Sequence, residues 1–353
     1  GNQGRPGVNG GPFTATAVAH PNLAFVKYWG QRDPELNIPI NGSISVNLGG
    51  ARTTTRVSFD PDLTADAVSV DGSPAAPQAL ARIVRHLDRV RGLAGITTCA
   101  RVESYNDFPS AVGIAASASG FAALTLAASR AAGLALDLRA LSVLARKGSG
   151  SACRSIPGGF VEWVAGHDDA TSYAFTIAPS DAWDLRVISV AVSREPKPIS
   201  SLRGHRAAFT SPFIAARLES VAQTLGLVRA AIERRDLELL GMTVEREALS
   251  LHAVAMTSRI IDAPWLSGIY YMQPDTLRLI RAVQAWRSDG LGVYFTLDAG
   301  PTVHLVCEAR SVARVMAALD EVPGSDTYLR ILSSPGRGVW LVDEAAGGDA
   351  PTA

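Results

Sequence analysis

The stretch Asn106-Asp-Phe-Pro-Ser-Ala-Val-Gly-Ile-Ala-Ala-Ser-Ala-Ser-Gly120, followed at once by Phe121-Ala-Ala-Leu-Thr-Leu-Ala-Ala128, joins two kinds of chain. Its second half is rich in Ala and Leu with no interior breaker before Gly133, which predicts a helix. Its first half combines Pro109, a flexible Gly113 and the small hydroxyl residues Ser110, Ser117 and Ser119. A loop of small residues feeding a helix lets backbone N–H groups approach an anion. The helix N-terminus adds about half a positive charge along the same direction. The stretch therefore reads as a phosphate cradle, although Ala/Ser/Gly segments also occur where two helices pack closely. It carries neither Gly-Lys-Ser/Thr nor Gly-x-Gly-x-x-Gly, which takes weight from both of those nucleotide folds.

On the N-terminal side, alternating or β-rich segments predict strands over 13–19, 38–48, 53–59 and 97–103, and Asp71-Gly marks a hairpin turn. The spacing of Leu80, Ile83, Val84 and Leu87 predicts a helix over 77–90. On the C-terminal side a helix from 138 runs into Lys147-Gly-Ser-Gly-Ser-Ala-Cys-Arg-Ser-Ile-Pro-Gly-Gly159, and a strand follows. Residues 185–192 read as a strand. The proline-bearing segment Ser193-Arg-Glu-Pro-Lys-Pro-Ile-Ser-Ser201 marks a domain boundary. Helical patterns then cover 213–225, 228–234, 237–255 and 274–288. Two apolar strands meet across Asp298-Ala-Gly-Pro301, a helix covers 312–319, and 338–342 closes the sheet. The expectation is a two-domain α+β protein: an N-terminal domain over 13–192 and a C-terminal domain over 193–345. Residues 1–12 are expected to be an expression remnant or a disordered tail, and 346–353 a flexible tail.

The chain has 353 residues, enough for two domains sharing a cleft, and a formal net charge of zero, so no global field draws it to nucleic acid or anionic membrane. Its three cysteines, Cys99, Cys153 and Cys307, are widely separated with no Cys-x-x-Cys. This argues against a disulfide framework or a thiolate zinc site and fits a reducing cytoplasm. No apolar run reaches the length of a membrane span and no basic-then-apolar leader is present.

Three further constellations bear on chemistry. Lys147 to Arg154 is a second Gly/Ser loop with a cation at each end, suited to phosphate or carboxylate; alone, it also fits a flexible connection with solvated charges. Two such loops in one chain favour an anionic, phosphorylated substrate together with a nucleotide. Asp298 ends an apolar strand, where a buried acid needs a partner; the alternative is an aspartate that satisfies its own turn. Lys27-Tyr-Trp-Gly-Gln-Arg32 crowds aromatics and cations at a strand end, and as readily makes a surface turn. His20, His205, His252 and His304 lack metal-ligand spacing, and His304 reads as a satisfied core or edge residue. The runs Glu245-Arg-Glu247 and Glu233-Arg-Arg-Asp236 read as solvated helix faces.

Four segments together, Asn22-Leu-Ala-Phe-Val-Lys-Tyr-Trp-Gly30, Pro109-Ser-Ala-Val-Gly-Ile-Ala-Ala-Ser-Ala-Ser119, Gly148-Ser-Gly-Ser-Ala-Cys-Arg154 and Phe295-Thr-Leu-Asp-Ala-Gly-Pro301, resemble the mevalonate diphosphate decarboxylases of the GHMP kinase superfamily. The resemblance runs in order over nearly the whole chain. It implies an N-terminal α/β domain, a ferredoxin-like C-terminal domain and an active site between them. It also implies ATP-dependent decarboxylation of a 5-phosphorylated mevalonate through a 3-phosphate ester, with Mg2+ carried on ATP oxygens and a homodimeric assembly. Carried over residue by residue, Asp298, Lys27 and Arg154 would be catalytic. Asn22, Tyr28, Gln31, Ser149, Ser151, Arg203 and His205 would hold substrate alongside Arg154. Ser104, Asn106, Pro109, Gly113, Ser117, Ala118, Ser119 and Gly120 would hold ATP.

One departure matters. The diphosphate-using enzymes read Tyr-Trp-Gly-Lys where this chain has the neutral Gln31, and His205 stands where many have Met. Losing one charge-assisted contact costs roughly 1.5–3 kcal/mol, or about ten- to a hundredfold in affinity. The expected substrate is therefore mevalonate 5-phosphate, giving isopentenyl phosphate. The alternatives are the diphosphate, with Arg32 or Arg203 replacing the lysine, and a kinase that stops at the 3-phosphate.

Overall fold

A computed structural model describes residues 13–109, 116–195, 197 and 199–342. Gly113, Ser110 and both expected tails fall outside these residues. The N-terminal half is built on a six-stranded sheet in the order Trp340–Leu341, Thr14–Ala19, Thr53–Phe59, Ala100–Asn106, Ala67–Val70 and Ser73–Pro74. Helices α1 (Pro77–Ala94), α2 (Ala116–Ala131) and α3 (Leu138–Gly148) pack together beside it. Helix α2 is buried along most of its length. Its Ala122, Ala123, Ala127 and Ala128 lie in one core with Ala15, Ala17, Val57 and Val102, small residues that let helix and sheet approach closely.

A second sheet orders Ala174–Ala178, Phe160–Trp163, Ser43–Asn47 and Asn22–Val26, and a third orders Val293–Leu297, Val303–Glu308, Leu185–Ala191 and Leu329–Ser333. After the short helix α4 (Ser201–Ala207), α5 (Ile214–Arg234) and α6 (Leu237–Thr257) pack against each other. They wedge between these two sheets: Val221, Val228, Leu240 and Val244 share one core with Leu23, Phe25, Ile44, Val46, Leu185 and Val187. Helices α7 (Pro274–Ser288) and α8 (Val312–Asp320) complete the core of the third sheet.

Three features differ from the sequence expectation. The strand Leu185–Ala191, assigned above to the first domain, pairs with Val303–Glu308 and Leu329–Ser333, so the sheets divide before it rather than at 193. The last strand, Trp340–Leu341, returns to pair with Thr14–Ala19 in the first sheet. The helices expected over 213–225 and 228–234 are one helix, α5, running through Gly226. A single helical glycine costs only about 1 kcal/mol, which the packed apolar face offsets.

Candidate active site

Lys27 follows the strand Asn22–Val26, and Asp298 follows Val293–Leu297, so the two side chains reach the crevice from opposite halves of the chain. The Lys27 ammonium lies 2.8 Å from Asp298 Oδ1, with Lys27 3% and Asp298 27% accessible in their side chains. The ammonium also donates to the Ala24 carbonyl. Asp298 does not satisfy its own turn: it is the backbone carbonyl, not the carboxylate, that accepts from Gly300 N–H at 2.8 Å. That carbonyl accepts from His252 Nε2 as well, at 3.1 Å. Burial raises the Asp298 carboxyl, but the charges of Lys27, His304 and Lys197 with the Lys27 hydrogen bond outweigh it, and the acid stays below its ordinary range. Burial lowers the Lys27 ammonium, opposed first by Asp298. The pair is thus held as carboxylate and ammonium by each other.

Arg154 leaves the 3-10 turn Gly150–Ser155, 4% exposed. Its Nε donates to Asn22 Oδ1 at 3.1 Å, its Nη1 to Ser43 Oγ at 2.8 Å, and the guanidinium sits 5.7 Å from the Trp163 ring centre. Asn22 in turn donates to the Ser151 carbonyl at 3.0 Å and to Ser155 Oγ at 2.8 Å, so it braces the loop from beneath. The charge of Arg154 acts on Tyr28, His205 and Asp298 alike, which ties these residues into one site.

A cavity of about 870 Å³ opens beside Tyr28 and His205; Lys27, Arg154, Asp298 and Asn22 lie outside its lining. Of the residues expected to hold substrate, Tyr28, Gln31, Ser149, Ser151 and His205 line it, together with Ser117 from α2. Gly150 lines it too: a Cβ there would stand 2.8 Å from the Tyr28 hydroxyl, so a larger residue would displace that ring. His205 stacks on Tyr28, ring centres 4.2 Å apart, and its Nδ1 accepts from Gly30 N–H at 3.0 Å. Burial pushes the imidazole down to about 3, so at neutral pH it is uncharged with its proton on Nε2. Gln31 is 6% exposed; its Nε2 donates to the Tyr28 hydroxyl at 2.9 Å and to Asn37 Oδ1 at 2.7 Å.

Arg203 lies elsewhere. It pairs with Asp262 at 2.6 Å, while Leu202 and Arg206 of the same helix line the cavity. Arg32 donates to the Gly166 carbonyl at 3.0 Å and is absent from the lining. The cationic wall comes from Lys147, the cation expected at the start of the Gly/Ser loop, and from residues that sequence reasoning passed over: Arg82, Arg85 and Arg89 of α1, with Arg206. Their spacing of three and four along α1 was a readable signal on the face opposite its apolar one. Lys197, whose charge acts on Asp298, was also passed over, and His304, expected to be a satisfied core or edge residue, lies where the charge of Asp298 acts on it. His304 is 1% exposed; Nδ1 meets Ser189 Oγ at 2.9 Å, and among the described residues Nε2 has no partner.

A second cavity of about 270 Å³ adjoins the first, sharing Ser117 and Arg82. Apolar Val70, Ile83, Val102, Phe121 and Leu124 line it beside Ser104, Asn106 and Gly120. Ala118 and Ser119 are buried behind it, and Ser119 Oγ bonds Thr53 Oγ1 at 2.7 Å, a bracing role rather than a wall position. Pro109 is exposed.

An α/β half in which helix α2 packs on its sheet, closed by a sheet-and-helix half that contributes Asp298, fits the GHMP kinase class of fold. Residues 19–174 match the family described as a diphosphomevalonate decarboxylase-like N-terminal domain, and 187–334 the mevalonate 5-diphosphate decarboxylase C-terminal domain. The phosphomevalonate decarboxylase of Haloferax volcanii is 35% identical over 306 residues, covering 86% of this chain and 91% of that protein. The diphosphomevalonate decarboxylase of Homo sapiens is 35% identical over 341 residues, covering 89% and 83%. A solved structure described as MDDEF in complex with MVAPP, AMPPCP and magnesium superposes with a TM-score of 0.86 at 34% identity, covering 94% of this chain and 99% of that one. The chain belongs to the mevalonate diphosphate decarboxylase family, and is a decarboxylase acting on mevalonate phosphates. No helix among the described residues is long and apolar enough to cross a membrane.

Proposed function

We propose that this enzyme uses ATP to decarboxylate mevalonate 5-phosphate, giving isopentenyl phosphate, ADP, phosphate and CO2. The observation that carries the choice of the monophosphate is the commitment of the side chains around position 31. Gln31 is neutral and gives its N–H groups to Tyr28 and Asn37, while Arg32 and Arg203 are engaged by Gly166 and Asp262. The two cations that stood to replace a lysine at this position are thus turned away. Tyr28, whose oxygen already accepts from Gln31, and His205, with its proton on Nε2, offer two neutral donors side by side. Such a pair suits a phosphate of lower charge.

The smaller cavity suits a purine nucleoside, with apolar walls for the ring and Ser104 and Asn106 as polar contacts. Ser117 and Arg82 then mark the passage of the phosphate chain toward the arginine wall. An ATP analogue and magnesium in the solved relative support the same pairing here, with magnesium riding on ATP phosphate oxygens.

A tertiary hydroxyl is a weak nucleophile and hydroxide a poor leaving group. Asp298 would orient the 3-hydroxyl and take its proton as the γ-phosphoryl group arrives, while Lys27 neutralises the carboxylate and the moving phosphoryl group. The C3–O bond of the phosphate ester then breaks with loss of phosphate. The C1–C2 bond breaks with loss of CO2, and its electron pair forms the C2–C3 double bond. Arg154, held rigid by Asn22 and Ser43, would fix the departing carboxylate.

The test is turnover with ATP, comparing mevalonate 5-phosphate and mevalonate 5-diphosphate by kcat/KM with product analysis. The monophosphate should win by at least tenfold with CO2 released. A clear preference for the diphosphate contradicts the assignment, and a stable phosphorylated acid without CO2 indicates a kinase.

A further inference from the structure

Lys27 stands where a strand loses its ladder. The pairing of Asn22–Val26 with Ser43–Asn47 shifts register between Ala24 and Val26, so the amide and carbonyl of the next residue need other partners. One buried ion pair on the other half of the chain reaches both, and Asn41 Nδ2 shares the carbonyl at 2.9 Å. Glu247 of α6 accepts the Lys27 N–H at 2.8 Å, and Arg217 of α5 donates Nη2 to the Lys27 carbonyl at 2.9 Å. Arg217 and Glu247 are 2% and 4% exposed and grip each other through two contacts, 2.6 and 3.0 Å long. Glu247 was expected on a solvated face; instead it is among the most enclosed acids of the chain, and its charge also acts on the Lys27 ammonium.

A buried ion pair is by itself weak evidence for stability, since apolar replacements of similar volume are often neutral. A pair that brackets both backbone groups of one residue has another explanation. We propose that Arg217 and Glu247 are positioning residues that fix the Lys27 backbone from the C-terminal half and so set the Lys27–Asp298 separation. An error of about 1 Å at a reacting pair is enough to slow an enzyme about a hundredfold. The proposal rests on the reading of Lys27 and Asp298 as the reacting pair.

The experiment compares Glu247→Gln, Glu247→Ala and Lys27→Met with Asp66→Asn as a control. Asp66 makes an equivalent brace far from the crevice: it pairs with Arg91 at 3.0 Å and accepts the Ala100 N–H at 2.7 Å. Glutamine keeps an acceptor for the Lys27 amide and alanine does not. The expected order of kcat is wild type, then Glu247→Gln, then Glu247→Ala, with at least a tenfold total fall and the KM for ATP within about twofold. Asp66→Asn should lower the melting temperature without that fall in kcat. The latch is refuted if Glu247→Gln and Glu247→Ala both match Asp66→Asn in kcat while Lys27→Met is inactive. Full turnover in Lys27→Met would remove the reading beneath it.

Discussion

Lys27 Nζ and Asp298 Oδ1 lie 2.8 Å apart although 271 residues separate them in sequence. The distance records how the two halves close on each other. The two partners are unequal: Lys27 is enclosed and Asp298 retains access to the crevice. Asp298→Asn leaves a buried ammonium without its counter-ion and should cost about 3 kcal/mol. Lys27→Met removes the buried charge itself, so its loss in denaturant unfolding should be smaller, although turnover falls at least a hundredfold. Equal destabilisation by the two variants would contradict this asymmetry.

Substrate choice is expected to turn on position 31. Gln31→Lys should raise affinity for the diphosphate about ten- to a hundredfold, the worth of one charge-assisted contact. Steady-state kinetics on both substrates would check it. An unchanged ratio of kcat/KM values would assign the discrimination to other residues.

The arginine wall predicts a nucleotide phenotype. Arg85→Gln removes one cation from the cavity lining and should raise the KM for ATP about tenfold, with a smaller change in the KM for the mevalonate phosphate. A rise confined to the mevalonate substrate would reverse the assignment of that wall.

Much of this was legible and some was not. The helix after Gly120 and the Lys147–Arg154 loop announced themselves because small residues and breakers act locally. The end of the strand at Asp298 was legible too; its partner Lys27 was named only through the family resemblance, since local pattern cannot show a pairing that spans the chain. Glu245 and Glu247 looked solvated because charge runs usually are. In the fold Glu245 takes Arg287 and the Phe295 N–H, and Glu247 takes Arg217 and the Lys27 N–H. Local pattern cannot reveal a partner on another helix. The apolar stripe of α1 drew attention from the cations on its other face, and the strand 185–191 belongs to the later sheet because both strands that pair with it, Val303–Glu308 and Leu329–Ser333, come later in the chain.

Acid should destabilise the fold well above the carboxylate range. Burial pushes His86 and His205 down to about 3, and His252 and His304 down to about 4. The unfolded chain takes up these protons near the ordinary value of 6.5, so below it the unfolded state binds more protons and stability falls with pH. The slope is up to about 1.4 kcal/mol per histidine per pH unit, continuing until the folded values are reached. The depressed Asp298 carboxyl adds a loss in the same direction, at lower pH, as the acid falls through its folded value. Calorimetry should show the melting temperature falling between pH 6.5 and 4.5, and His304→Asn should flatten the slope. A constant melting temperature over that window would contradict the buried neutral state of these rings.

The most direct measurement is made on Asp298→Asn: CO2 release from mevalonate 5-phosphate and ATP, alongside ATP binding by calorimetry. The account predicts that turnover falls by at least a thousandfold while ATP affinity stays within about threefold of wild type. Turnover within tenfold of wild type, or loss of ATP binding together with activity, would mean that the Lys27–Asp298 pair is not where the reaction occurs.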